Sequence, residues 1–306
     1  MLRSLEEVLA AARQAEACTI AVAAAQDQDV LTAVYAAVRE GIVKPVLVGD
    51  REEILKIAQE ASIPVKPEEI VDEPDKAAAC MKAAELVRDG KADLLMKGFV
   101  DTSLIMKAVL NRENGLKKSS TISHDAVMEV PGFDRLFHVT DSAMNIAPTL
   151  DQKAAILENA VEVAHALGNE MPKAAVLCAV EKVNPKMECT LDAKELTERN
   201  RNGLIRGCLV DGPLALDNAV SPAAAKHKGI SSPVAGYADI LLVPDIEAGN
   251  MLNKGMEYFA GAKKAGVMMG AKVPIVLTSR ASSPQSKMYS IALGVVIALN
   301  MKEKAE

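Results

Sequence analysis

Val273-Pro274-Ile275-Val276-Leu277 runs straight into Thr278-Ser279-Arg280-Ala281-Ser282-Ser283, and a long apolar helical pattern follows. The β-branched run predicts a buried strand, the hydroxyl-rich segment a turn, and the serines a helix start. This order gathers open backbone N–H groups, hydroxyls and one guanidinium at the positive end of a helix dipole. An arginine's planar fork suits two-point contact with a phosphate or carboxylate. Ser279 and Arg280 are therefore candidates for an anion-handling site, with helix capping as the plainer role of the hydroxyls.

Working outward, the first two thirds of the chain alternate strand and helix signals, the pattern of a mainly parallel sheet with helices on its faces. Strands are expected at 19–25, 44–48, 70–71 and 92–96, with helices at 30–40, 51–61, 74–87 and 102–110. The texture changes over 111–139, where polar turns surround two hairpin-like strands, and a domain boundary belongs near there. Thr149-Leu150-Asp151-Gln152 forms a capping box for a helix reaching Leu167. Further strands are expected at 174–180, 208–211 and 239–243, a charged helix at 192–205 and helical turns at 222–228. Residues 213–221 read as loop, Gly249-Asn250 as the opening of a helix over 251–265, and 266–272 as a linker.

Composition bounds the answer. The 306 residues exceed one small core, and half are hydrophobic while only 3% are aromatic, a mix suited to many helices on a parallel sheet. The net charge of −6, from 41 acids against 35 bases without a basic stripe, disfavours nucleic acid. Cys18, Cys80, Cys178, Cys189 and Cys208 lack a C-x-x-C pair and read as reduced, mostly buried thiols of a cytoplasmic protein. Acids at Glu6 and Glu7 oppose a secretory leader, and the apolar stretch over 291–301 is too short to span a bilayer.

Four strand exits carry polar residues on the edge where open α/β sheets bind ligands. Lys97-Gly98 with Thr102 could lie against a phosphate or form only a solvated turn. Asp141-Ser142-Ala143-Met144-Asn145 is a small polar turn whose plainer reading is an Asx-type loop. Gly249-Asn250 leaves donors open at a helix start, with Lys254 one turn on, or is simply a capped helix with a surface lysine. The fourth exit is the opening stretch. The nucleotide-binding patterns G-x-x-x-x-G-K-[ST] and G-x-G-x-x-G are absent, as is the G-x-S-x-G elbow. His124, His138, His165 and His227 lack metal-ligand spacing. Of these, His124 at the boundary region is the one placed to be more than structural.

In this order and spacing the stretches resemble the phosphate acetyltransferase and butyryltransferase family, more closely its butyryl members. The likeness is carried by Lys97-Gly98 with Thr102, Ile122-Ser123-His124, the run from Thr140 to Pro148, the run from Pro244 to Asn250, and Leu277-Thr278-Ser279-Arg280-Ala281. It implies two α/β/α domains with mainly parallel sheets and an interdomain cleft, like isocitrate and isopropylmalate dehydrogenases. Residues 1–128 with 269–306 would form the first domain and 129–268 the second. It implies reversible transfer of a short-chain acyl group between coenzyme A and orthophosphate, with no metal or other cofactor, in a cytoplasmic homo-oligomer that is at least a dimer. Ser279 would face the sulfur and Arg280 the phosphate. Lys97, Thr102, Asp141, Asn145, Gly249, Asn250, Lys254 and Thr278 would bind substrate, and His124 would be the proton-transfer partner.

Two departures accompany the resemblance. Acetyl members carry an aspartate a few positions after the serine-arginine pair, whereas Ser282-Ser283-Pro284-Gln285-Ser286-Lys287 has no acid. Acetyl members also place an arginine in the helix after Gly249-Asn250, where this chain has Met256-Glu257-Tyr258-Phe259, leaving Lys254 as the candidate for that charge. The rival expectations are a phosphate acetyltransferase and a non-catalytic relative that binds CoA or an acyl phosphate.

Overall fold

The computed structural model describes residues 1–278 and 282–304. The chain opens with α1 (Leu5–Gln14), β1 (Cys18–Ala23), α2 (Gln28–Arg39), β2 (Val43–Gly49), α3 (Arg51–Glu60), β3 (Ile70–Asp72), α4 (Lys76–Arg88), β4 (Leu94–Lys97) and α5 (Thr102–Leu110). It continues with β5 (Ser123–Glu129), β6 (Leu136–Thr140), α6 (Leu150–Ala166), β7 (Lys173–Leu177), α7 (Glu188–Arg201), β8 (Leu209–Leu214), α8 (Leu216–Val220), α9 (Pro222–His227), β9 (Ile240–Leu242) and α10 (Ile246–Ala260). It closes with β10 (Lys263–Met269), β11 (Ile275–Val276) and α11 (Pro284–Glu303).

These elements form two compact units, a terminal unit of Glu6–Lys118 with Ala265–Glu306 and a middle unit of Met1–Leu5 with Ser119–Lys264. Residues 119–128, expected in the first domain, group with the middle unit because β5 pairs antiparallel with β6 from Asp125↔Thr140 to Glu129↔Leu136. In the terminal unit the strand order is β3-β2-β1-β4-β11-β10, parallel throughout except for β10 against β11. In the middle unit it is β5-β6-β9-β7-β8, parallel beyond the β5–β6 hairpin.

Strands buried on both faces explain the continuous apolar runs. Along β7 and β9 the side chains alternate: Ala175, Leu177 and Leu241 pack with α8, α9 and α10, while Ala174, Val176, Ile240 and Leu242 pack with α6 and α7. The middle unit is therefore three layers, helix on sheet on helix. In the terminal unit α2 packs against α11 and α4 against α5. Local caps set the entries: Asp27 accepts from the backbone N–H of Val30 at α2, and Thr149 with Gln152 closes the expected capping box at α6.

Three expectations are corrected. Residues 263–269 form β10 where the end of a helix reaching 265 and a linker from 266 were expected, and Gly261, left-handed at φ 66°, ends α10 just before it. Strand β8 reaches Leu214 through Pro213, tolerated because β8 is the edge of the middle unit's sheet, and α8 follows where loop was expected. Finally, α10 starts at Ile246, where Asp245 accepts from the N–H of Ala248, so Gly249-Asn250 lies inside the helix.

Candidate functional site

In the terminal unit β11 pairs parallel with β4 (Val276↔Met96) and β1 with β4 (Ala23↔Lys97), so three strands release their chains at one sheet edge. Lys97 and Gly98 leave β4, Thr278 follows β11, and Asp27 with Asp29 begins α2. These five residues and Lys287, in the first turn of α11, line a cavity of about 100 Å³. Gly98 is required there, since a Cβ would fall 2.2 Å from the carbonyl oxygen of Ala24. Lys97 is 9% exposed, and its ammonium donates to the carbonyls of Gly98 at 3.3 Å and Val100 at 2.9 Å. Lys287 donates to a carboxylate oxygen of Asp29 at 3.1 Å. Phe99 also lines the cavity, with the Lys76 ammonium 4.4 Å from its ring centre.

Ser279 and Arg280 lie outside the described residues. Thr278, immediately before them, is buried, and Ser283 beyond them caps α11 by accepting from the N–H of Ser286 at 3.2 Å. Thr102 opens α5 and is not among the residues lining the cavity.

The middle unit brings a second set together. The Asp141 carboxylate accepts from the backbone N–H groups of Ala143, Met144 and Asn145 at 2.8, 2.9 and 3.2 Å. It also accepts from the Asn145 amide at 2.6 Å, and that amide donates to the carbonyl of Ile122 at 2.9 Å. Both side chains are thus engaged in building their own turn. Against it packs α10: a Cβ on Gly249 would lie 2.5 Å from the Asp141 carbonyl oxygen and 2.9 Å from Ser142 Cα. Gly249 is there for close approach and not to open donors, since its N–H bonds to the Asp245 carbonyl at 3.1 Å. Asn250 donates to the Ser142 carbonyl at 3.3 Å. Lys254, a few residues on, is exposed.

His124 on β5 is 7% exposed, with Nδ1 3.0 Å from the Ser142 hydroxyl, to which the Asn253 amide donates at 3.4 Å. Burial pushes the His124 pKa below the ordinary histidine value, although the Asp141 and Asp125 carboxylates pull it upward and Lys264 adds to the lowering. The ring is therefore neutral at physiological pH. Asp125 is engaged beyond it, accepting from or facing His138 Nδ1 at 2.8 Å.

Asp29, Lys287 and Asn253 are not marked as site residues by the sequence, and Ser142 only as a member of the 141–145 turn. Lys287 did carry a signal: a cation in the first turn of an apolar helix, at the wrong end for the dipole. Among the described residues no group of three or more His, Cys, Asp or Glu side chains is placed to hold a metal ion. Burial pushes the thiols of Cys18, Cys80 and Cys208 up to about 11 and that of Cys178 up to about 12.

A family model described as phosphate acetyl/butaryl transferase matches residues 4–79 and 68–295. The phosphate butyryltransferase of Clostridium acetobutylicum is 49% identical over 300 residues, covering 98% of this chain and 100% of the relative. The phosphate acetyltransferase of Thermotoga maritima is 50% identical over 279 residues, 91% of this chain and 95% of that protein. Among solved structures, a branched-chain phosphotransacylase from Enterococcus faecalis V583 superposes with a TM-score of 0.81 at 38% identity, over 92% of this chain and 99% of the other.

Proposed function

The chain belongs to the phosphate acetyl/butaryl transferase family, and from that premise we propose that it transfers a short-chain acyl group, butyryl or branched, reversibly between coenzyme A and orthophosphate. The observation that carries the reading is the terminal-unit cavity, where buried Lys97 and Thr278 meet at the exits of β4 and β11 directly before Ser279-Arg280.

Toward acyl phosphate, an orthophosphate oxygen bonds to the thioester carbonyl carbon as the carbon–sulfur bond breaks and the CoA thiolate leaves. In reverse, the thiol gives up its proton, the thiolate sulfur bonds to the acyl phosphate carbonyl carbon, the carbon–oxygen bond breaks, and the departing orthophosphate takes up the proton. Lys97 and the N-terminus of α11 supply positive field for the phosphate, Arg280 grips it, and Ser279 donates to the developing thiolate. A thiol with a reference pKa of about 8.5 needs modest help to ionise, which a hydrogen bond and this field provide. We assign neutral His124 a proton-transfer role through Nε2 and Asp141, Asn145, Gly249 and Asn250 the task of shaping the turn beside it. Thr102 and Lys254 are assigned to outer contacts with substrate.

The reaction as written needs no metal, and EDTA should leave the rate unchanged. We further propose a cytoplasmic homo-oligomer, at least a dimer, to be checked by sedimentation; among the described residues no helix is long and apolar enough to cross a membrane.

The direct test is to incubate the protein with orthophosphate and acetyl-, butyryl- or isobutyryl-CoA and follow free thiol. Four of the protein's own thiols, Cys18, Cys80, Cys178 and Cys208, are buried, and a blank without thioester accounts for the half-buried Cys189. Butyryl-CoA has two more methylenes than acetyl-CoA, each worth about 0.8 kcal/mol when buried, so kcat/KM should favour it by roughly tenfold. Equal rates with acetyl-CoA would move the assignment to phosphate acetyltransferase, and no thiol release from any thioester would sink the enzymatic reading in favour of a binding relative.

A further inference from the structure

Lys287 is held where a lysine costs stability. Its side chain is 3% exposed, it sits in the first turn of the 20-residue helix α11, and no acidic residue shares that turn to offset the positive helix end. Lys97, another nearly buried ammonium, lines the same cavity, so two cations share a volume of about 100 Å³. The counter-charge at hand is Asp29, 3.1 Å from Lys287, yet that carboxylate is 69% exposed and belongs to the first turn of α2. Asp27, the other acid lining the cavity, is occupied in capping α2 through the N–H of Val30 at 2.9 Å. A buried cation paired with a largely solvated carboxylate is one that a stronger anion can claim while the carboxylate turns into water.

We propose that Lys287 is a substrate-binding residue, which together with Lys97 holds a phosphoryl group in this cavity, Asp29 being its counterion in the empty protein. The inference rests on the acyltransferase reading and names which side chain of that site recognises phosphate chemistry. Two sources share that chemistry, orthophosphate and the phosphate groups of coenzyme A. The cavity offers both the same charge, and the reaction supplies both.

The test is steady-state kinetics of the full-length protein and its Lys287→Met, Lys287→Arg and Asp29→Asn variants, with butyryl-CoA and with butyryl-pantetheine, which lacks the phosphates. Turnover by the unaltered protein is the control that keeps failure of the acyltransferase reading distinct from failure of this one. A charge-assisted hydrogen bond lost from a buried site corresponds to about tenfold or more in binding. If orthophosphate is the ligand, Lys287→Met raises its KM by about that factor and leaves the butyryl-CoA KM in place. If a CoA phosphate is the ligand, the butyryl-CoA KM rises while that of butyryl-pantetheine does not. Lys287→Arg should restore most of the affinity in either case. Because Lys287→Met replaces a buried cation that the cavity is built around and could fail to fold, Asp29→Asn, at a largely exposed position, provides an independent arm with the opposite sign: freeing the ammonium should lower the same KM severalfold. Unchanged KM values for both substrates in a folded Lys287→Met protein, or a raised KM in Asp29→Asn, would overturn the proposal.

Discussion

Ser142 connects the residues whose roles are hardest to see in isolation. Its hydroxyl faces His124 Nδ1 at 3.0 Å and receives the Asn253 amide at 3.4 Å, while its backbone carbonyl receives Asn250. A neutral imidazole donates from one nitrogen and accepts at the other, so the partner at Nδ1 decides what Nε2 does. Ser142→Ala should therefore alter the pH dependence of kcat if His124 moves a proton, and the change should vanish in a His124→Asn background. An identical kcat profile in wild type and His124→Asn would remove His124 from the chemistry. Gly249 is a plainer case. Its substitution by alanine forces a methyl to within 2.5 Å of a backbone carbonyl, which neither α10 nor the 141–145 turn can avoid without moving. A destabilisation of about 1–3 kcal/mol is expected, read as a lower urea midpoint, with activity falling because the turn beside His124 shifts.

At the scale of elements, α10 shows both what a sequence discloses and what it hides. Asp245 is the real N-cap, and Asp245→Ala should cost about 1 kcal/mol of stability, measurable by urea unfolding followed by circular dichroism. Gly249-Asn250 had looked like the helix start because glycine and asparagine usually punctuate helices; here the glycine answers a tertiary demand, close approach to Asp141 and Ser142, that no local pattern encodes. The same limit explains β10, whose run Lys263-Lys264-Ala265-Gly266-Val267-Met268-Met269 reads as a helix end followed by a linker until β11 pairs with it. Elements with strong local signals were legible: the Thr149 box, the 102–110 helix, and the buried strands β1, β2 and β4. The cavity was half legible, since Lys97 and Thr278 stand at strand exits, whereas Asp29 and Lys287 come from helices 258 residues apart in the chain and meet only when α2 packs on α11.

For the whole molecule, the buried neutral His124 makes a statement about acid stability. Its folded pKa lies below the unfolded value because burial opposes the charged ring more than Asp141 and Asp125 favour it. The unfolded chain therefore binds the proton more readily, and stability rises with pH wherever that difference operates. The native state keeps its full stability above the unfolded histidine pKa of about 6.5 and loses it progressively as pH falls from there toward the folded value. The buried cysteines do not contribute to this limb: their ordinary thiol pKa of about 8.5 keeps them protonated at acid pH in the unfolded chain, and burial raises it further in the folded one. His124→Gln keeps polar atoms in the site but removes the titration. It should lower stability at pH 8 by the loss of ring packing, yet flatten the decline as pH falls below about 6.5, so that the two proteins' urea midpoints converge as the solution is acidified. Parallel curves over that range would mean that the acid limb belongs to other groups and that the His124 site takes up its proton without strain.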